Sequence, residues 1–125
     1  AYFAPFDEFA KGVVLALEEE GLTDKIKVYS ADISTQDIEL MIKDGSPWAA
    51  TAATSPRLIG ALSVRALALK IVGEEIPHDI LITPILFTRD MLRKAGVKNM
   101  EELEIKFPEF NKTTNMTASW IPMIK

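Results

Sequence analysis

The chain has 125 residues, a length that suits a single domain, and its 48% hydrophobic and 26% charged residues exclude a wholly disordered chain. A net charge of -4, with basic residues scattered along the sequence, argues against nucleic acid as a partner. Because the chain has no cysteine and a single histidine, His78, disulfides, thiolate nucleophiles and the usual Cys/His zinc sites are excluded, and no apolar run approaches the roughly 20 residues that span a membrane.

The first predicted elements are a short strand that ends near Ala4 and a helix that follows it. Asp7 stands where a helix N-cap belongs, and Gly21 is placed to end the helix. Apolar residues recur at three- and four-residue spacing, which predicts one buried helical face made of Phe9, Ala10, Val13, Val14 and Leu17.

The next elements are a strand, a helix and a second, buried strand. Residues 25–29 alternate charged with β-branched and aromatic side chains, which predicts a strand that leads into Asp32. Ser34 and Asp37 have the spacing of a capping box and predict the start of a helix that Gly45 ends. Residues 48–53 are small and apolar between turn signals, which favours a buried strand.

The second half of the chain begins with the longest predicted helix. Ser55 followed by Pro56 is typical of a helix start, and the apolar pattern continues to Gly73. Residues 79–83 are predicted as a strand that Pro84 interrupts and that residues 85–87 can continue. Thr88 and Asn99 are each predicted to cap a short peripheral helix, and residues 120–122 are the expected anchor of a polar tail.

Strands that alternate with helices of ten or more residues indicate an α/β fold with parallel pairing through right-handed crossovers. In such a fold Asp7, Asp32 and Thr54 all follow strand ends, so they share one edge of the sheet, where open α/β sheets bind ligands. Two carboxylates and a hydroxyl suit a polyol, and Phe6 or Trp48 could offer a flat surface for a sugar ring. The alternative is that the polar groups only cap helices or start loops and that the aromatic residues belong to the core.

Catalysis is not predicted. The sequence has no nucleophile elbow, no glycine loop that could cradle a phosphate, and no second histidine beside His78, which lies in a proline-flanked connector and is expected to be exposed. We therefore expect a protein that is not an enzyme and that has neither a cofactor nor a metal.

Five separate blocks, in order along the chain, resemble the C-terminal half of the periplasmic sugar-binding proteins of ABC transporters, of the ribose- and galactose-binding type. They are residues 4–12, 27–32, 43–45, 50–60 and 73–77. The resemblance implies a three-layer α/β/α lobe with a mainly parallel sheet, here incomplete, and a protein of the periplasm or another extracytoplasmic compartment. It also implies a carbohydrate ligand and a membrane permease as partner.

The resemblance assigns roles to the candidate site residues. Asp7 occupies the position of an aspartate that binds sugar hydroxyls in this family, and Phe6 replaces an asparagine before it. Thr54 stands where the family has glutamine or asparagine, and Asp32 matches an acidic residue that follows the next strand. Because Phe6 and Thr54 depart from the family pattern, the ligand or its orientation is expected to differ from ribose or galactose.

The resemblance also implies a division of the chain. Residues 1–87 correspond to the C-terminal portion of the sugar-binding fold, with crossings between lobes near 54–56 and 77–84, and residues 88–125 to peripheral short helices and a tail. A signal peptide, the opening of the first lobe and half of the second lobe would precede Ala1. The helix that begins at Pro56 would then expose an apolar surface, so self-association of the chain is expected.

Two alternatives remain open at this stage. A receiver-like phosphoacceptor domain of similar length would use Asp7 or Asp32 as its acidic site, although residues 48–53 carry no acidic acceptor. A sugar-responsive transcription regulator shares the resembled fold and differs by a helix-turn-helix head, which would lie upstream.

Overall fold

The structure is a computed structural model, and it describes residues 1–113 and 116–121. Its strands are β1 (Tyr2–Ala4), β2 (Val28–Ala31), β3 (Trp48–Ala53) and β4 (Ile85–Thr88). Its helices are α1 (Asp7–Glu19), α2 (Thr35–Ile42), α3 (Pro56–Ile71), α4 (Arg89–Ala95) and α5 (Met100–Lys106), followed by a 3-10 turn at Pro108–Asn111. Within these residues, no helix has the length and apolar character that crossing a membrane requires.

The four strands form one sheet in the order β1-β2-β3-β4. The first three are parallel, and β4 runs antiparallel to β3. The predicted α/β fold with a mainly parallel sheet is confirmed. Because both crossovers step in the same direction along the sheet and such crossovers are right-handed, α1 and α2 lie on the same face.

Side-chain caps start most of the helices, as the sequence predicts. Ser34 and Asp37 form a reciprocal capping box at α2, and Ser55 accepts a hydrogen bond from the Leu58 N–H ahead of Pro56 at α3. Thr88 and Asn99 likewise cap α4 and α5. These side chains satisfy backbone donors that a helix start leaves unpaired.

The predicted N-cap of α1 is wrong by one residue. Phe6 is the N-cap and makes no side-chain cap, while Asp7 is the first helical residue. The Asp7 Oδ1 atom accepts a hydrogen bond from the Glu8 N–H, 2.9 Å away. Asp7 therefore stabilises the helix through its charge near the positive end of the helix dipole rather than as a cap.

The strand predicted at residues 79–83 is also wrong. That segment has no regular secondary structure, and the fourth strand occupies Ile85–Thr88, after Pro84. Ile80 and Ile82 pack against α3 instead of joining the sheet. A strand-like run of β-branched residues does not specify whether its partner is a sheet or a helix, and here the apolar surface of α3 is the partner.

The main core lies between the α1–α2 face of the sheet and its helices. An irregularity in the register pairs Val28 with Trp48 and Tyr29 with Ala50, so that Ala49 has no partner on β2. This extra residue turns both Trp48 and Thr51, which are three positions apart, toward the buried face. Trp48 is fully buried, which rules it out as a surface for a sugar ring.

The helices α4 and α5 are part of this core, so their predicted peripheral position is wrong. Leu92 and Leu103 are fully buried in it, together with Phe110 of the 3-10 turn. The Phe87 ring on β4 makes edge-to-face contacts with Phe107 at 5.5 Å and with Phe110 at 5.3 Å between centroids. Each short helix has one apolar face, and that face is enough to bury the helix because β4 places Phe87 in the same cluster.

A second apolar cluster forms around α3 and is separate from the main core. Leu58, Leu62 and Leu69 are its buried members on the helix, and Ile76, Ile80, Ile82 and Ile121 pack against it. Ile121 is thus an anchor of the tail, while Pro122 lies outside the described residues. On the opposite face of the sheet, the described residues leave Phe3, Tyr29 and Leu86 exposed.

Candidate functional site

The carboxyl ends of the three parallel strands place the predicted polar residues along one edge of the sheet. Asp32 directly follows β2, Thr54 directly follows β3, and Asp7 begins α1 after two residues that separate it from β1. Asp32 is exposed, whereas Asp7 and Thr54 are half-buried. These residues therefore follow the strand ends from which the sequence predicts a shared edge. Their contact with a ligand stays a prediction.

Asp32 has a backbone conformation that non-glycine residues rarely adopt, with φ of 71°. Its N–H donates to the Ala52 carbonyl at 3.0 Å, and its own carbonyl accepts a hydrogen bond of 2.6 Å from the Thr51 hydroxyl. These two bonds to β3 hold the turn after β2. They fix the direction in which the exposed Asp32 side chain leaves the sheet edge.

The Thr51 hydroxyl is the end of a buried chain of hydrogen bonds. The Trp48 indole N–H donates to Ser30 Oγ at 3.0 Å, and the Ser30 hydroxyl donates to Thr51 Oγ1 at 2.9 Å. All three side chains are nearly inaccessible to solvent. This series of hydrogen bonds gives partners to three buried polar groups, and its last bond holds the backbone of Asp32 in place.

A second polar cluster surrounds Asp7 and consists of Asp7, Glu8, Lys11 and Asp37. The Lys11 ammonium donates to Glu8 Oε1 at 2.6 Å and lies 3.3 Å from Asp37 Oδ1. The hydrogen bond to Glu8 raises the pKa of Lys11, and Asp37 adds to the effect against the opposing cost of desolvation. Lys11 therefore stays charged and partly compensates the carboxyl groups at the start of α1.

Asp37 is the buried member of this cluster and has no solvent exposure. Its Oδ2 atom accepts the Ser34 N–H, but Oδ1 accepts no hydrogen bond from the described residues. Burial raises the pKa of the Asp37 carboxyl, and the neighbouring Asp7 raises it further, while the Ser34 bond and Lys11 act in the opposite direction.

Two exposed aromatic rings flank the first turn of α1. Phe6 and Phe9 are 54% and 59% exposed, with ring centroids 6.2 Å apart. The sequence predicts Phe6 as a surface for a ligand, and the structure leaves it accessible. Phe9 was expected in the buried face of α1, which contains only Ala10, Val14 and Leu17 as buried residues.

Thr54 adjoins a buried polar pair. Ser55 caps α3 and donates its hydroxyl to Asn111 Oδ1, and both side chains are buried. The pairing with Ser55 gives Asn111 a structural role. The rigid cap holds the backbone on one side of Thr54, and β3 holds it on the other.

Three residues of this region were missed by sequence reasoning, namely Phe9, Lys11 and Asp37. The signal for Phe9 was available, since Phe6 and Phe9 have the three-residue spacing that joins side chains across one helical turn. Asp37 was identified only as part of a capping box. Nothing in the sequence shows that the start of α2 faces the start of α1.

The chemistry available at this edge is hydrogen bonding and stacking. Among the described residues no group of three or more acidic or histidine side chains could hold a metal ion. The side chain of His78 is 98% exposed, as the sequence predicts, and it pairs with Asp79 on the connector. Carboxylates beside exposed aromatic rings are the groups that bind polyhydroxylated ligands.

The chain is similar to solved structures of solute-binding proteins. One is a 5-methylthioribose transporter solute-binding protein from Thermotoga lettingae in complex with 5-methylthioribose, at 41% identity over 94% of this chain and with a TM-score of 0.89. Another is a sugar ABC transporter protein from Yersinia enterocolitica, at 34% identity over 94% of this chain and with a TM-score of 0.85. The chain spans 38% and 35% of the lengths of these two proteins.

A third solved structure, also of a solute-binding protein, is similar to the chain at lower sequence identity. It is an ABC transporter solute-binding protein from Agrobacterium vitis with bound allitol, at 26% identity over 75% of this chain and 32% of its own, with a TM-score of 0.69. Neither a protein-family model nor a curated protein sequence matches the chain.

Proposed function

We propose that the chain forms one wall of a sugar-binding site. It belongs to the solute-binding proteins of sugar ABC transporters and matches part of their length. Polypeptide beyond the chain would supply the opposite wall. The protein would deliver its ligand to a membrane permease from the periplasm or another extracytoplasmic compartment. It would bind without chemical turnover.

The observation that carries this proposal is the row of Asp7, Asp32 and Thr54 at the carboxyl edge of three parallel strands. A carboxylate can accept hydrogen bonds from two adjacent sugar hydroxyls, and a threonine hydroxyl can donate or accept one. The backbone of Asp32 is held by the buried chain of hydrogen bonds that ends at Thr51, so binding of the ligand does not have to order this turn.

The aromatic pair narrows the ligand class. Phe6 and Phe9 form an exposed apolar surface beside Asp7, at the point where the resembled family has an asparagine. An apolar ring surface favours a sugar that carries an apolar substituent over one that is hydroxylated at every carbon. The bound 5-methylthioribose of the Thermotoga lettingae protein is a ligand of this kind.

Titration calorimetry of the complete protein against 5-methylthioribose, ribose and allitol tests this ligand class. We expect the methylthio sugar to bind most tightly, and we expect Phe6→Ala to weaken it by about tenfold while changing ribose much less, because a buried apolar contact contributes roughly 1–2 kcal/mol. Ile105→Ala, at an exposed apolar residue on α5, is the matched control. Equal affinity for all three ligands in both proteins would remove the aromatic pair from the site.

The receiver-like alternative is disfavoured by the strand order. Receiver domains have the doubly wound order 2-1-3-4-5, in which the first strand is internal, whereas here β1 pairs only with β2 among the described strands. A transcription regulator with the same ligand-binding fold remains an alternative. A helix-turn-helix upstream of Ala1 in the complete protein would favour it.

The two separate apolar clusters support the proposed lobe crossings near residues 54–56 and 77–84. The cluster of α3 contains no member of the main core, and residues between 76 and 82 pack with α3 rather than with the sheet. In this proposal α3 belongs to a different lobe from the sheet. The division at residue 87 does not follow the packing, since Leu92 and Leu103 share the core of the sheet.

We further propose that the isolated chain associates with itself. Val64, Leu67 and Ile71 are 61% to 75% exposed along α3, and Phe3 and Leu86 are exposed on the open face of the sheet. Apolar surface of this kind favours burial against a second copy. Light scattering is expected to show dimers or larger species at high protein concentration, and a monodisperse monomer that binds no hydrophobic dye would contradict the proposal.

A further inference from the structure

We propose that Thr51 is a positioning residue for Asp32, and that it acts through the last bond of the buried chain of hydrogen bonds that begins at Trp48. This inference rests on the proposed function, in which the Asp32 carboxylate binds sugar hydroxyls. It gives a buried side chain on β3 a part in setting ligand affinity.

The first support is the backbone conformation of Asp32, which has to be held. Its φ of 71° lies in the left-handed region, where residues with a side chain are less stable than in the extended or right-handed regions. Without its restraints the residue would return to negative φ, and its Cα–Cβ bond would then point in another direction. The direction of the exposed carboxylate therefore depends on the bonds that keep this conformation.

Two hydrogen bonds to β3 supply that restraint. The Asp32 N–H donates to the Ala52 carbonyl at 3.0 Å, and the Asp32 carbonyl accepts the Thr51 hydroxyl at 2.6 Å. The first bond joins two backbones, whereas the second depends on a side chain. The Thr51 hydroxyl is therefore the part of the restraint that a single substitution removes.

The second support is the direction of the protons along the buried chain of hydrogen bonds. The Trp48 indole N–H can only donate, the Asp32 carbonyl can only accept, and the hydroxyls of Ser30 and Thr51 have one proton each. With bonds of 3.0, 2.9 and 2.6 Å in series, each hydroxyl must accept from one neighbour and donate to the next. Only one arrangement of the two protons satisfies all three bonds, so the Thr51 proton is committed to Asp32.

The third support is the register of β3. Residues three positions apart in a regular strand point to opposite faces of the sheet. Ala49 has no partner on β2, and this extra residue brings both Trp48 and Thr51 to the buried face. The irregularity thus assembles a series of buried hydrogen bonds whose last acceptor belongs to Asp32, at the ligand edge of the sheet.

Titration calorimetry of the complete protein against 5-methylthioribose and ribose tests the proposal. Thr51→Val keeps the shape of the side chain and removes the hydroxyl. We expect it to weaken binding by about fivefold, an effect typical of residues that share one hydrogen-bond network. Thr51→Ser keeps the hydroxyl and is expected to bind within about twofold of the unmodified protein, although it loses a buried methyl group.

Val28→Ala is the matched control for lost stability, because Val28 is fully buried at the opposite end of β2. It is expected to lower stability in urea by an amount similar to that of Thr51→Val while leaving the affinity unchanged. Equal affinities for Thr51→Val and Val28→Ala would overturn the proposal, because a purely structural hydrogen bond would alter stability alone.

Asp32→Gly shows whether Thr51 acts through Asp32. It removes the carboxylate, introduces a residue that adopts positive φ readily, and is expected to weaken binding by about tenfold. In that background Thr51→Val should weaken binding by less than about twofold more. A further fivefold loss would mean that Thr51 affects the ligand by another route, and the proposal would fail.

Amide hydrogen exchange needs no sugar and separates this proposal from the proposed function. The Val28 N–H, which donates to the Pro47 carbonyl, serves as the internal reference. Relative to it, the Asp32 N–H is expected to exchange about fivefold faster in Thr51→Val than in Thr51→Ser. That result without sugar binding by any version would retain the role of Thr51 in holding Asp32 and refute only the proposed ligand. An unchanged ratio would refute that role.

Discussion

The substitution Asp7→Ala in the complete protein is expected to weaken sugar binding by about tenfold or more. Asp7 is the best-supported ligand residue, since it follows β1 at the ligand edge of the sheet and its carboxylate accepts only the Glu8 N–H among the backbone groups nearby. Loss of a charged partner from a buried sugar hydroxyl costs roughly 1.5–3 kcal/mol. Titration calorimetry against 5-methylthioribose and ribose measures the effect.

Asp24→Ala provides the matched control, because it removes an exposed carboxylate from the turn after α1, away from the ligand edge. It should leave the affinity unchanged. Stability must be followed in parallel, since the negative charge of Asp7 also favours the start of α1 by about 0.3–1 kcal/mol. If Asp7→Ala lost only that stability and bound its sugar as tightly as the control, Asp7 would be a helix residue and not a ligand residue.

The stability of the protein should also depend on pH through Asp37. Its pKa is raised in the fold, chiefly by burial, so the protonated form stabilises the fold fully below the unfolded pKa of about 3.9. That stabilisation is lost as pH rises through the folded pKa of Asp37.

Local signals in the sequence were sufficient for most of the secondary structure. Ser34, Ser55, Thr88 and Asn99 each cap the helix predicted from them, because a capping hydrogen bond involves residues only three positions apart. The buried strand at Trp48–Ala53 was also predicted, from its small apolar residues between two turns. These features depend on interactions that are close in sequence.

The errors concern interactions between residues distant in sequence. Ile80 and Ile82 have strand-like sequence, but their partner is α3. Phe9 fits the apolar period of α1, but its ring lies beside that of Phe6 at the sheet edge instead of in the core. Asp37 could be placed in its capping box but not beside Asp7, because that approach depends on how α1 and α2 pack on the sheet.

The inclusion of α4 and α5 in the core leads to the largest expected effect on stability. Leu103 on α5 is fully buried in the main core, whereas Ile105 on the same helix is 69% exposed. Leu103→Ala leaves a cavity among close-packed neighbours and is expected to lower the free energy of unfolding by roughly 2–5 kcal/mol.

Ile105→Ala is the control for this effect, since it makes a similar loss of side chain on the same helix at an exposed site and should change stability by about 0.5 kcal/mol or less. Urea unfolding of the 125-residue chain measures both, followed by Trp48 fluorescence with the second tryptophan, Trp120, replaced by phenylalanine in every variant. Trp48 lies in the same buried cluster as Leu103, so its fluorescence reports the sheet and not α5 alone. A tryptophan transition at the same urea concentration in Leu103→Ala as in the unmodified chain would mean that α5 unfolds independently. It would support the boundary at residue 87 that the resemblance implies, because a helix that shares one cooperative core with the sheet cannot lose its central leucine without destabilising both.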